Sequence, residues 1–100
     1  MAYSRVSTAK WKVDLDSEAG QAITRQAKND GVPFLRTLPG FISYVVARVD
    51  SHTTVQAYTW DSEDHCKSGI KQFREWVDRV GIGAQIASLD VNVGEVIVAS

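Results

Sequence analysis

The 100-residue sequence has few of the residues that build disulfides and metal sites, and it has no excess of charge of one sign. Its single cysteine, Cys66, cannot form a disulfide within the chain, and no Cys and His residues have metal-ligand spacing. Eleven Lys and Arg residues balance twelve Asp and Glu residues. That balance leaves no basic stripe for nucleic acid and no cationic helix face for a membrane. We therefore predict no metal site, no nucleic-acid partner and no membrane partner.

Long apolar runs are also missing. No stretch approaches the roughly 18 residues of a membrane-spanning helix. The first residues, Met1–Arg5, lead into alternating residues without the apolar core of a signal peptide. We expect a soluble, cytoplasmic protein with a single domain, 1–100. A sheet in so small a domain leaves an apolar face wet unless another chain covers it.

The sequence does contain four strand patterns. β-Branched and aromatic residues predict strands over 3–13, 41–50, 53–60 and 89–98. Ser51-His52 is a tight turn between the middle two strands, which makes them a β-hairpin. A change of phase at Gly94 predicts a bulge in the last strand.

Two helix patterns separate these strands. Asp16 or Ser17 caps the first helix, which either breaks at Gly31 or continues as a second short helix after Pro33. Asp61-Ser62 caps the second helix, whose apolar stripe comprises Cys66, Ile70, Phe73, Val77 and Val80. The order β-α-β-β-α-β predicts an α+β, ferredoxin-like domain, in which the helices cover one face of a four-stranded antiparallel sheet. We expect the other face to carry aromatic residues and to be covered by a second subunit.

Two segments carry a resemblance to a known family. Pro39-Gly40-Phe41 precedes the second strand, with Tyr44 three residues later, and Trp60-Asp61-Ser62-Glu63 joins the third strand to the second helix. With the element order and the length, they resemble the antibiotic biosynthesis monooxygenase (ABM) family of dimeric α/β barrels. The resemblance implies a homodimer with facing sheets, and ligand cavities between each sheet and its helices or inside the barrel. It also implies an oxidoreductase that oxidises a small aromatic or polyketide-like molecule without a cofactor, although members differ in activity.

One branch of the family degrades haem. It uses an Asn on the first strand, the Trp at the end of the third strand and a His in the second helix as iron ligand. Trp60 matches, but 5–8 contains no Asn and 66–80 contains no His, and His65 comes too early in the helix. Haem binding is therefore the weakest of the functions considered.

The hairpin and its flanks supply the candidate site residues, each with a structural alternative. Trp60 stacks on a flat substrate or fills the core, and the tyrosines hydrogen-bond a substrate oxygen or pack. His65 is a general base or a surface residue. The strand arginines hold a carboxylate or enolate, or form structural ion pairs. We predict three catalytic residues, His65, Tyr58 and Arg48. The predicted substrate-binding residues are Trp60, Tyr44, Tyr58 and Arg5.

A second hypothesis is a non-catalytic dimer that is structural or binds a small ligand. It is motivated by the lack of a Ser-His-Asp arrangement, a phosphate loop or paired carboxylates. It predicts that side chains fill the space beside Trp60 and that no cavity is able to hold a small molecule.

Overall fold

Four antiparallel strands form one sheet in the computed structural model, which describes residues 1–100. They are β1 (Tyr3–Trp11), β2 (Phe41–Asp50), β3 (Thr53–Trp60) and β4 (Ile86–Glu95), in the spatial order β2-β3-β1-β4. The register of the central pair sets Arg5 opposite Tyr58 and Ser7 opposite Gln56. The predicted α+β, ferredoxin-like fold is confirmed, with the hairpin turn at the predicted position.

Three helices accompany the sheet: α1 (Glu18–Gln26), α2 (Val32–Arg36) and α3 (Glu63–Arg79). Ser17 caps α1, because its hydroxyl accepts a hydrogen bond of 3.1 Å from the backbone N–H of Gly20. Gly31 does not break the helical path. It closes a π-helical turn, Ala27–Gly31, that joins α1 to α2, and its φ of −68° is right-handed. Pro33 lies in the first turn of α2, where no N–H is needed.

The core lies between the sheet and the pair α2 and α3. Trp60 and Leu35 are fully buried, and the indole of Trp60 lies against α3 at Gly69. The buried positions of α3 are Cys66, Gly69, Phe73 and Trp76, a stripe displaced from the predicted one. Trp76 takes the place predicted for Val77, because its ring stacks on both Phe34 and Phe73.

The sheet face away from the helices is aliphatic and polar. Because Tyr44 packs on Phe73 of α3, its neighbour Val45 points to the open face and is 60% exposed. Val6 and Val49 alternate onto the same face, and no aromatic side chain lies there. The expectation of an aromatic open face is therefore wrong, since the aromatic residues of the strands face the helices.

The last strand also differs from its prediction. β4 ends at Glu95, and Gly94 pairs regularly with Ser4. The register shift lies instead between Lys10 and Trp11, at the other end of the β1–β4 pair. No strand continues beyond residue 95, so the alternation of apolar residues there wrongly predicted one. No helix has the length and apolar character to cross a membrane.

Candidate functional site

A cavity of about 510 Å³ lies between the helix-facing side of the sheet and helices α1 and α3. That volume is within the range of small-molecule sites. Sixteen of its 25 lining residues are hydrophobic, so its walls suit an apolar ring system. The helices contribute such residues as Ile23, Ile70 and Phe73. The exposed charged residues that line it, and so mark its rim, are Lys28, Arg74 and Asp78.

Arg5, on the floor of the cavity, is a buried cation without a carboxylate partner. The residue is 6% exposed, and it belongs to none of the three ion pairs of the chain. Its guanidinium carbon lies 5.7 Å from the centre of the Tyr58 ring, a cation–π contact. Burial lowers the pKa of Arg5, and the charge of Arg74 acts in the same direction. A guanidinium nevertheless keeps its proton in a protein, so the cavity holds a fixed positive charge.

Two tyrosines lie beside Arg5 on the same face of the sheet. The ring centres of Tyr44 and Tyr58 are 4.6 Å apart, and both rings pack edge-on against Phe73. Burial raises the pKa of both phenols, and the charge of Arg5 opposes that shift at Tyr58. Both hydroxyls are therefore neutral at physiological pH, which makes them hydrogen-bond donors and not bases.

A chain of side-chain hydrogen bonds crosses the cavity floor between β3 and β1. The indole N–H of Trp11 donates to Thr54 Oγ1 at 2.9 Å, and the Thr54 hydroxyl donates to Gln56 Oε1. Gln56 Nε2 then donates to Ser7 Oγ at 2.8 Å. The three β-strand polar residues of this chain are all buried. Such a network keeps its geometry because each member is held by its neighbours.

Trp60 does not line the cavity, which corrects the prediction that it binds substrate there. It has no exposed surface, and its indole N–H has no acceptor. The ring reaches this depth because Gly69 offers no side chain: a Cβ atom there would lie 2.1 Å from the ring. The space beside Trp60 is thus filled. The partly polar cavity next to it nevertheless argues against the non-catalytic hypothesis, which predicts no cavity able to hold a small molecule. The cavity begins two residues earlier on the same face of β3, at Tyr58.

His65 and Arg48 also lie away from the cavity, against the prediction that they act beside Tyr58. His65 Nδ1 is 2.6 Å from Asp61 Oδ1, and this pair packs against the turn at Gly40. Arg48 is held at the surface by both carboxylate oxygens of Asp16, at 2.6 and 2.8 Å. Of the six predicted site residues, the structure therefore brings together Arg5, Tyr44 and Tyr58.

The polar floor of the cavity was not predicted from the sequence. Thr54 and Gln56 share a strand face with Tyr58 and Trp60, and that face turned out to point at the helices. Polar residues on a covered face are the signal that would have found them, once the covered face is known. No three His, Cys, Asp or Glu side chains converge as a metal site.

Solved structures share this fold along nearly the whole chain. SnoaB, a cofactor-independent oxygenase from Streptomyces nogalater, matches with a TM-score of 0.74 and 12% identity over 98% of this chain and 95% of its own. A monooxygenase from the gene ActVA-Orf6 of Streptomyces coelicolor, in complex with Nanaomycin D, matches with a TM-score of 0.69 and 16% identity over 99% of this chain and 93% of its own. A dimeric ferredoxin-like protein from an uncultured marine organism matches with a TM-score of 0.75 and 12% identity over 99% of this chain and 98% of its own.

No protein-family model matches the sequence, and no curated protein matches it either. At identities of 12–16% the structural likeness is one of fold. The resemblance predicted from the two sequence segments is confirmed at that level, and the chain has the fold of the antibiotic biosynthesis monooxygenases.

Proposed function

We propose that this protein is a cofactor-independent oxygenase that oxidises a small, flat phenolic molecule with O2. The observation that carries the proposal is the unpaired Arg5 guanidinium in a mainly apolar cavity. Apolar walls take up an aromatic ring, and a buried cation favours a ligand with an ionised oxygen. The fold shared with two oxygenases, one of them cofactor-independent, supports this choice.

The reaction needs an anion as its first intermediate. In an anthrone, the CH2 group opposite the ring carbonyl loses a proton, and the charge delocalises onto the carbonyl oxygen to give a phenolate. That anion passes one electron to O2, the two radicals combine and take up a proton to give a hydroperoxide, and loss of water leaves a carbonyl. In sum, CH2 and O2 give C=O and H2O, so the carbon loses four electrons and O2 gains them. Arg5 stabilises the phenolate oxygen electrostatically, and the neutral hydroxyl of Tyr58 is a further donor beside it.

The cavity offers no strong base near Arg5. None of its lining residues is a His or a Glu, and its one carboxylate, Asp78, is exposed at the rim. In the proposal the substrate proton therefore leaves to water, and the cavity lowers the pKa of the bound phenol. Turnover then rises with pH until the bound phenol is fully ionised.

The proposal includes a homodimer formed through the open face of the sheet. Aliphatic side chains on that face are highly exposed in the single chain, among them Val45 at 60% and Val49 at 61%. A contiguous exposed apolar face is typical of a subunit interface. One of the matching structures is a dimeric ferredoxin-like protein.

Oxygen uptake with anthrone-type substrates, without added metal or flavin, tests the proposed reaction. We expect one O2 consumed per substrate oxidised. Arg5→Gln removes a charge-assisted hydrogen bond to the anion, so kcat/KM should fall by about ten- to a hundredfold. Lys10→Gln is the matched control, because Lys10 is a cation on the same strand that points to the other face. No uptake with any anthrone-type substrate, or equal rates for Arg5→Gln and the native chain, would contradict the proposal.

Ligand binding without turnover is the second candidate function. The observation that favours it is the lack of a proton acceptor at the inner end of the cavity. It predicts that phenolic ligands bind in a way that depends on Arg5 while no oxygen is consumed. Calorimetric titration beside the uptake measurement separates the two candidates.

A further inference from the structure

The hydrogen-bond chain on the cavity floor has one direction. An indole N–H is a donor only, so the Thr54 oxygen must accept from Trp11. The hydrogen of Thr54 then goes to the carbonyl oxygen of Gln56, and the amide group of Gln56 donates to Ser7 Oγ. Trp11 and Thr54 each donate their one hydrogen to the next residue, Gln56 donates one of its two amide hydrogens, and the chain ends at Ser7.

The hydroxyl hydrogen of Ser7 has no acceptor within the protein. Ser7 is 1% exposed and lines the cavity, and its side chain takes part in one hydrogen bond, in which it accepts. A buried hydroxyl that only accepts is poorly satisfied, and buried polar groups in native proteins find partners. The hydroxyl hydrogen of Ser7 is therefore available to a ligand oxygen in the cavity.

Arg5 and Ser7 lie side by side on one face of β1. They are separated by one residue, and their cross-strand partners are Tyr58 and Gln56. Residues at this spacing are about 6.6–6.8 Å apart along a strand, so one oxygen atom between the two side chains is within reach of both. Neither side chain has a carboxylate partner that would compete for its donors.

We propose that the Ser7 hydroxyl donates to the same ionised oxygen of the ligand that Arg5 holds. Trp11, Thr54 and Gln56 are positioning residues: they act through Ser7 by fixing which way its hydrogen points. Successive donation along the chain also polarises the last hydroxyl, which strengthens its hydrogen bond to an anion. The ligand class, a phenolate, rests on the proposed function, whereas the donor role of Ser7 rests on the hydrogen-bond chain.

A chromophoric phenol tests the inference without any turnover. The probe is 4-nitrophenol, whose ionised form absorbs at longer wavelength, so absorbance against pH gives the pKa of the bound phenol. We expect the native protein to lower that pKa below the value in water. Ser7→Ala should raise it by about one unit and weaken phenolate binding by about tenfold, because a hydrogen bond to a charged acceptor is lost. Ser7→Thr keeps a hydroxyl and should restore most of the effect.

Ser4→Ala is the matched control. Ser4 is a serine of the same strand whose hydroxyl is hydrogen-bonded to Thr59 on the opposite face. It should leave the pKa of the bound phenol unchanged. If Ser7→Ala does not fold, as judged by circular dichroism, Trp11→Phe replaces it. That variant leaves Ser7 in place but removes the indole N–H that fixes the direction of the hydrogen-bond chain. It should raise the pKa of the bound phenol by a smaller amount than Ser7→Ala does.

Three outcomes would overturn the inference: no binding of 4-nitrophenol, an unchanged bound pKa in Ser7→Ala, or an equal change in Ser4→Ala. The outcome is independent of the proposed reaction. A Ser7-dependent pKa without oxygen uptake rejects the oxygenase and keeps the donor role of Ser7. If oxygen is consumed, and Ser7→Ala changes neither the uptake nor the pKa of the bound phenol, the oxygenase stands and the donor role of Ser7 is rejected.

Discussion

The guanidinium carbon of Arg5 lies 5.7 Å from the centre of the Tyr58 ring, with no carboxylate paired to the cation. This contact offsets part of the free-energy cost of desolvating the guanidinium but does not neutralise its charge. The buried charge of Arg5 therefore disfavours folding, and an anionic ligand that pairs with it would remove this cost. Binding and stability are therefore opposed at this residue.

Arg5→Met should make the empty protein more stable. Replacing a buried ion pair by apolar side chains of similar volume is often neutral or stabilising, by about 1–4 kcal/mol, and Arg5 has no ion pair to lose. A gain of about 1 kcal/mol raises the midpoint of thermal unfolding by about 4–8 °C in a domain of this size. Thermal denaturation followed by circular dichroism checks this. A midpoint lowered by several degrees would show that Arg5 has a structural partner that stabilises the fold.

Gly69 and Trp60 should be energetically coupled. A Cβ atom at Gly69 would lie 2.1–2.7 Å from three carbons of the outer six-membered ring of Trp60. Gly69→Ala should cost about 1–3 kcal/mol through overpacking, although alanine favours a helix. Phenylalanine lacks those outer carbons, so Trp60→Phe makes room for the methyl group.

The double variant tests this coupling. Urea denaturation of Gly69→Ala, Trp60→Phe and the pair should give an interaction energy of at least about 0.5 kcal/mol, with the double variant more stable than the sum predicts. Strict additivity would mean that the two residues do not touch.

Acidification should weaken the fold through its paired carboxylates. The hydrogen bond from His65 lowers the pKa of Asp61, and that from Arg48 lowers the pKa of Asp16. Because each folded pKa lies below the unfolded value of about 3.9, the stabilisation is complete above that pH and is lost as the pH falls through the folded pKa. Unfolding free energies between pH 6 and 2 should therefore fall less steeply in Asp61→Asn than in the native chain. Parallel curves would exclude the pair as a source of the acid sensitivity.

The open sheet face should hold two subunits together. Sedimentation at micromolar concentration is expected to show a dimer. Val45→Lys places a charge on the apolar part of that face and should yield a folded monomer. Ala22→Lys, on the exposed side of α1, is the control and should stay dimeric. A native chain that sediments as a monomer would reject the proposed interface.

Much of the fold was predictable because local chemistry and overall topology agree. The bounds Phe41–Asp50 and Thr53–Trp60 follow from β-branched runs on either side of a turn, and Ser17 and Ser62 cap helices where their side chains predict. The π-helical turn at Gly31 and the end of β4 at Glu95 were not predictable in this way. In both places a local signal, a glycine or an alternation of valines, was overridden by packing and pairing with the rest of the chain.

The candidate site was predictable only in part. Tyr44 and Tyr58 line a cavity, but which face of the sheet the helices cover is a property of the assembled domain. That face brings Ser7 and Gln56 to the cavity. Trp60 lies on the same face but outside the cavity, and contacts with Asp61 and Asp16 hold His65 and Arg48 at the surface. Arg5 was among the residues predicted to bind substrate, but only the structure shows that it has no acidic partner.

A crystal structure with a brominated phenol bound would show how Arg5 and Ser7 hold a ligand, since anomalous scattering from bromine fixes the orientation of the ring. We expect the ring between the sheet and α3, with its oxygen within hydrogen-bond distance of the Arg5 guanidinium and of Ser7 Oγ. A phenol bound on the open sheet face, or one whose oxygen points away from Arg5 towards the rim, would contradict this expectation.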